Sequence, residues 1–246
     1  MPRQNDTVDR RRDDDGRDGK RVFRKAIRCG SRQSFLPFRI GFEKRWGAAE
    51  ALPMVCINSQ GRPGDNILRV SSNNRQGVTL ALEHFKSKGH KRIVFINMGI
   101  HHPLNSTDTL ERQTAYTQWM QTNFPGVPPE IICINDENFQ FRPLLDRGVT
   151  AVFTPGEGAT AELLRIAREE NIRIPEDLSF IGMESEYTHS PSFFSTGITT
   201  IGQNWSLIAA AVYDLLGELI SKQPASDQFI DFEFNDRSSV APPSDR

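Results

Sequence analysis

Long apolar runs are missing from this 246-residue chain, and cysteine is scarce, with three in all. No stretch approaches the ~20 consecutive apolar residues that span a bilayer as a helix. The amino terminus carries charge without a hydrophobic core region, so a secretory signal is not expected and the chain reads as cytoplasmic. Cys29, Cys56 and Cys133 are widely spaced. They form no CxxC and join no Cys/His cluster, which excludes a zinc site of the usual spacing. Cys56 and Cys133 sit within apolar runs and read as buried thiols in a reducing compartment. Catalytic signatures are missing too. Ser71–Ser72 and Ser238–Ser239 lack a Gly-x-Ser-x-Gly context, and no phosphate-binding glycine loop is present. His101 and His102 are adjacent, so they do not share a helix face, and no carboxylate pattern completes a metal site around them. No cofactor is implied, and an enzyme is the least favoured class.

What is present is a soluble balance: 37% hydrophobic, 25% charged and a net charge of −1. The neutrality hides an asymmetry, because residues 1–46 hold about half of the 30 lysines and arginines. Residues 1–50 therefore read as a basic, disordered arm that could contact anionic surfaces without sequence preference. Phe35, Phe38, Phe42 and Trp46 give that arm some apolar character.

From about residue 51 strands and helices alternate. Residues 54–58 read as a buried strand. Asn74 reads as an N-cap, and the helix after it sets Val78, Ala81, Leu82 and Phe85 on one face, with Gly89 closing it. Strands follow at residues 93–97, 131–134, 150–154 and 178–182, with helices over 108–122, 158–170 and 204–221. Pro143 disfavours a full helix near it. Gly156-Glu157-Gly158 reads as a plain helix start, with a weak anion site as the other option. The alternation of Ile230, Phe232 and Phe234 with Asp231 and Glu233 reads as one final strand. Strands alternating with helices imply a doubly wound parallel α/β sheet whose ligands bind beyond the carboxyl ends of the strands.

Three stretches carry a family resemblance. They are Asn74-Arg75-Gln76-Gly77 with Glu83-His84-Phe85 and Gly89-His90-Lys91-Arg92-Ile93; Pro175-Glu176-Asp177 with Ile181-Gly182; and Thr199-Thr200-Ile201-Gly202-Gln203 with Arg237-Ser238-Ser239. In this order the chain resembles the effector-binding core of LacI/GalR-family transcriptional regulators, a periplasmic-binding-protein-like fold of two lobes. The resemblance implies crossings between lobes near residues 89–92, 199–203 and 224. It implies a partial N-lobe, residues 51–90 and 200–224, holding the strand at 54–58 and the helices at 74–88 and 204–221. The C-lobe would be residues 91–199 and 225–246 and nearly complete. The family's first strands, helix-turn-helix and hinge helix have no counterpart in residues 1–50.

By the same resemblance, Arg112 stands where an arginine hydrogen-bonds the effector, a task its planar fork suits. Glu184 stands where aspartate is usual and reaches one methylene farther. Phe139 aligns with an aromatic that stacks on a ligand ring, and Gln203 with a position near an interlobe crossing. The implied partners are a small-molecule effector, a sugar or a purine, together with DNA and a second copy of the chain. Three functional readings stay open: a ligand-controlled transcriptional regulator, a ligand-binding module without DNA binding, and a truncated, non-functional remnant.

Overall fold

The computed structural model describes residues 53–58, 67–98, 107–134, 139–185 and 197–244. The basic arm, His101, His102 and Cys29 lie outside them. From Pro53 onward the chain forms one compact unit built on two sheets.

The larger sheet has six strands in the order β4-β3-β5-β6-β7-β9. These are β3 (Ile93–Met98), β4 (Glu130–Ile134), β5 (Ala151–Thr154), β6 (Ser179–Ser185), β7 (Thr199–Gln203) and β9 (Phe232–Asn235). All neighbours are parallel except β7 and β9. The short runs 93–98 and 151–154 are almost continuously buried, as expected of parallel strands covered on both faces. On one face Phe95, Phe153, Ile181 and Ile201 meet helices α1 (Asn74–Ser87) and α2 (Thr107–Asn123). On the other, Val94, Ile96, Val152 and Phe180 meet α3 (Arg142–Asp146) and α4 (Glu157–Glu169). This is the doubly wound α/β arrangement that the alternating pattern implies.

The smaller sheet has three parallel strands in the order β1-β2-β8: β1 (Val55–Ile57), β2 (Leu68–Ser72) and β8 (Gln228–Ile230). Helix α5 (Trp205–Ile220) covers it, burying Ile208, Ala211 and Leu215 against Val70. Trp205 and Val212, in phase with them, are partly buried in the same cluster.

Four local readings change. The N-cap of α1 is Asn73, whose side chain accepts from the Gln76 amide, and Asn74 is the first helical residue. Either asparagine has the chemistry of a cap, and only the backbone path decides between them. Helix α1 packs on the larger sheet rather than the smaller one, because its Val78-Ala81-Leu82-Phe85 stripe joins Phe95 and Ile201 in one core. The final strand is two strands, β8 in one sheet and β9 in the other. The smaller sheet accordingly gains β2 and β8 beside the single strand expected. Ser71 and Ser72 are buried in β2, so its polar letters concealed it.

The chain therefore passes between sheets three times, each time through one residue: Asn73 between β2 and α1, Asn204 between β7 and α5, and Asp231 between β8 and β9. The crossings expected near residues 89–92 and 224 fall instead at residues 73 and 231. Gly89, with φ at +97°, follows the C-cap Lys88 and ends α1.

Candidate functional site

The three crossings border the carboxyl ends of β5, β6 and β7, where a parallel sheet presents its ligand site. Arg112 lies there, on the second turn of α2. It is only 8% exposed. Its Nε donates to Asn74 Oδ1 at 2.7 Å, and its Nη1 donates to the Pro155 carbonyl just beyond β5. The guanidinium carbon sits 5.5 Å from the centre of the Phe232 ring, within cation–π range. No hydrogen bond of Nη2 with the described residues is formed. The guanidinium is thus fixed on two edges and one face, which prepares it to accept a polar ligand with little loss of side-chain entropy.

Asn74 organises this corner. While its Oδ1 accepts from Arg112, its Nδ2 donates to Glu111 Oε2 at 2.8 Å and Asp108 Oδ1 at 3.2 Å. Burial pushes the Asp108 carboxyl above its ordinary range, opposed by Arg112 and by the Asn74 amide. Burial likewise draws the Arg112 guanidinium below its ordinary value, opposed by Asp108 and Glu111. The two acids offset part of the cost of burying a cation.

Phe232 and Gly77 close the floor. A Cβ on Gly77 would stand 2.7 Å from Phe232 Cδ2 and 3.1 Å from Met183 Cε, so only glycine lets α1 lie this near. The Gln76 side chain takes the place of a neighbouring strand: its Nε2 donates to the Phe232 carbonyl and its Oε1 accepts from the Phe232 amide. Behind Pro155, the Thr160 hydroxyl donates to the Gly156 carbonyl at 2.9 Å and meets Thr154 Oγ1 at 2.6 Å. A Cβ on Gly182 would stand 2.7 Å from Thr160 Oγ1, so β6 is glycine there for the same steric reason.

The other sequence-derived candidates divide. Gln203 is buried at the end of β7, paired opposite Phe232. Glu184 lies one residue short of the end of β6, its backbone paired with Gly202, and its side chain is outside the described residues. These two positions and Arg112 converge on one end of the sheet. Phe139 does not join them through any described contact. It packs edge-on against Phe141, ring centres 5.2 Å apart, in the cluster on the opposite face of the sheet. Sequence reasoning missed Asn74 as a side-chain organiser, and Pro155 and Phe232 as the walls around Arg112. The spacing of Asp108, Glu111 and Arg112 along one helix was the available signal, since residues three and four apart share a face.

A second depression lies at the amino-terminal ends of the strands, lined by His90, Thr150, Pro175 and Pro242. Its histidine is already engaged, Nδ1 with Thr150 Oγ1 at 2.9 Å and Nε2 with the Ala241 carbonyl at 2.8 Å. Among the described residues no group of three or more His, Cys, Asp or Glu could hold a metal ion.

The family model described as a periplasmic binding protein-like domain matches residues 82–240, well over half of the chain. The chain belongs to this family. Its fold is that of the effector-binding domain of LacI-family regulators. The HTH-type transcriptional repressor PurR of Actinobacillus pleuropneumoniae serotype 3 is 29% identical over 191 residues, covering 74% of this chain and 54% of that repressor. The chain spans about half the length of the curated relatives it matches. Among solved structures, a periplasmic binding protein/LacI transcriptional regulator from Alkaliphilus metalliredigens complexed with D-xylulofuranose superposes with a TM-score of 0.67 at 16% identity, over 85% of this chain and 83% of that one. A LacI family regulator from Enterococcus faecalis with bound ribose gives 0.63 at 19% identity, over 87% and 75%. The curated relatives are regulators rather than enzymes. No described helix of this domain is long and apolar enough to cross a membrane.

Proposed function

We propose that this chain is the sensing part of a cytoplasmic LacI/GalR-type transcriptional regulator, without enzymatic activity, and that it closes two lobes around a small polar ligand of the sugar class. The observation that carries the reading is the prearranged Arg112 guanidinium. It is buried at the carboxyl ends of the strands, bordered by the three crossings, with its Nη2 making no hydrogen bond to the described residues. Gln203 and Glu184 sit on the adjoining strand ends and supply further hydrogen-bonding groups. A hydroxylated ring would offer acceptors to Arg112 and donors to the Glu184 carboxylate. Closure on that ligand would shift a two-state equilibrium and so alter DNA affinity in the whole regulator.

The reading is tested by thermal melting and calorimetric titration with D-ribose, D-xylulose and hypoxanthine. A sugar should raise the melting temperature as mass action requires, and Arg112→Ala should reduce that rise at the same sugar concentration. Stabilisation by hypoxanthine alone would replace the sugar class with a purine. Cooperative melting unmoved by any of the three would refute the assignment to these ligand classes. Electrophoretic mobility shifts on operator libraries, with and without the stabilising compound, separate a DNA-binding regulator from a binding module that lacks this activity.

A further inference from the structure

The three crossings share a feature that goes beyond ligand binding. Asn73 and Asn204 are crossing residues and also helix N-caps, with nearly the same backbone: φ −75°, ψ 80° and φ −85°, ψ 88°. Each uses its Oδ1 to cap the helix it begins, accepting from Gln76 N at 3.2 Å or Leu207 N at 2.9 Å. Each then turns its Nδ2 to a carboxylate at the third crossing. Asn73 donates to Asp231 Oδ1 at 2.8 Å, and Asn204 donates to Glu233 Oε1 at 2.6 Å. The Asn73 amide also donates to the Ile230 carbonyl at 2.8 Å. The acids flanking Phe232 are therefore tied to both other crossings. The amide suits both tasks, since its carbonyl oxygen accepts for the cap while its separate NH2 donates for the tie.

We infer that Asn73–Asp231 and Asn204–Glu233 form a crossing clamp that sets the resting angle between the two sheets and opposes rotation at all three crossings together. Hinge motions are absorbed by a few residues at element ends. Here those residues are cross-linked by side chains, so neither helix can swing about its cap without breaking a tie to the third crossing. Because α1 also carries Asn74, which holds Arg112, the clamp would transmit a change at the ligand site to the crossing next to it.

The test needs no ligand. Spin labels on p-acetylphenylalanine at exposed Asp214 (α5) and Gln121 (α2) report the spacing between lobes without touching native cysteines. Asn73→Asp and Asn204→Asp keep the caps but set carboxylate against carboxylate. Each should add a second, displaced population to the distance distribution of the free protein. The exchanged pair Asn73→Asp with Asp231→Asn restores the tie with its polarity reversed and should recover the single wild-type population. Asn73→Ser, which caps but cannot reach Asp231 as a donor, should broaden the distribution while the far-ultraviolet circular dichroism stays unchanged. A wild-type distribution in both aspartate variants would overturn the clamp. So would an exchanged pair that keeps the displaced population, since restoring the tie would then not restore the resting angle.

Discussion

Alanine at Gly77 and alanine at Gly217 should change stability in opposite directions, although both glycines lie inside helices. In an exposed helix interior, alanine is better than glycine by about 1 kcal/mol, through backbone entropy and propensity. Gly217, in α5, has no atom within 4 Å of an added Cβ, so Gly217→Ala should gain close to that amount. Gly77, in α1, would put the same carbon 2.7 Å from Phe232 Cδ2, 3.0 Å from Phe232 Cγ and 3.1 Å from Met183 Cε. Phe232 is held by strand pairing, by both bonds to Gln76 and by the Arg112 guanidinium over its ring, so it cannot yield cheaply. Overpacking of this kind costs roughly 1–3 kcal/mol. Setting it against the propensity gain leaves Gly77→Ala between about neutral and 2 kcal/mol less stable than wild type. For a unit of this size that is a fall in Tm of up to ~8 °C, against a rise of about 2–4 °C for Gly217→Ala. Urea denaturation followed by circular dichroism reads both. Equal stabilisation by the two substitutions would show that α1 does not press on Phe232 as described, and the floor beneath Arg112 would need redrawing.

Tyr116→Phe should cost roughly 1–3 kcal/mol in urea melts, because the hydroxyl donates to the Ile93 carbonyl at 2.8 Å and accepts from the Glu130 amide at 3.1 Å in the interior. Burial also lifts that phenol to about 12, so its absorbance should titrate well above the ordinary tyrosine value of about 10. Burial lowers the ring pKa of His90 below its ordinary 6.5, and that of His84 in the same direction. The unfolded chain then binds more protons, so their contribution is fully present above about pH 6.5 and is lost as the pH falls through the lower folded values. His90→Gln should flatten the slope of stability against pH between 5 and 7, measured by denaturant midpoints. Phe139→Ala should lower stability by about 3 kcal/mol or less, because the ring is only partly buried against Phe141, while leaving ligand affinity within twofold of wild type.

The α/β architecture was legible because its strands are continuous apolar runs and its helices carry clear stripes, as in α1 and α5. The exchange between sheets was not. Residues 228–235 alternate as though they were one strand, and nothing local marks Asp231 as the point where pairing changes partner. The assignment of α1 depended on which sheet receives Phe85, which is a tertiary fact. Strand β2 was hidden because Ser71 and Ser72 are buried polar residues. In the site, Arg112 could be picked out by family position, but its surroundings could not. Asn74 looked like a cap because its neighbour Asn73 is one, and Phe232 looked like one apolar letter in a strand. The four-residue step from Asp108 to Arg112 did place a cation beside an acid, and that much of the electrostatics can be read from spacing alone.

The most direct test of the proposed ligand site is a calorimetric titration of D-ribose, with D-xylulose in parallel, into wild-type protein, Arg112→Ala and Phe139→Ala. A hydrogen bond to a charged group contributes ~1.5–3 kcal/mol, so Arg112→Ala should weaken the bound sugar by roughly 10–150-fold, with Phe139→Ala binding as wild type does. Sugar binding of equal strength in wild type and Arg112→Ala would contradict the placement of the ligand at this guanidinium.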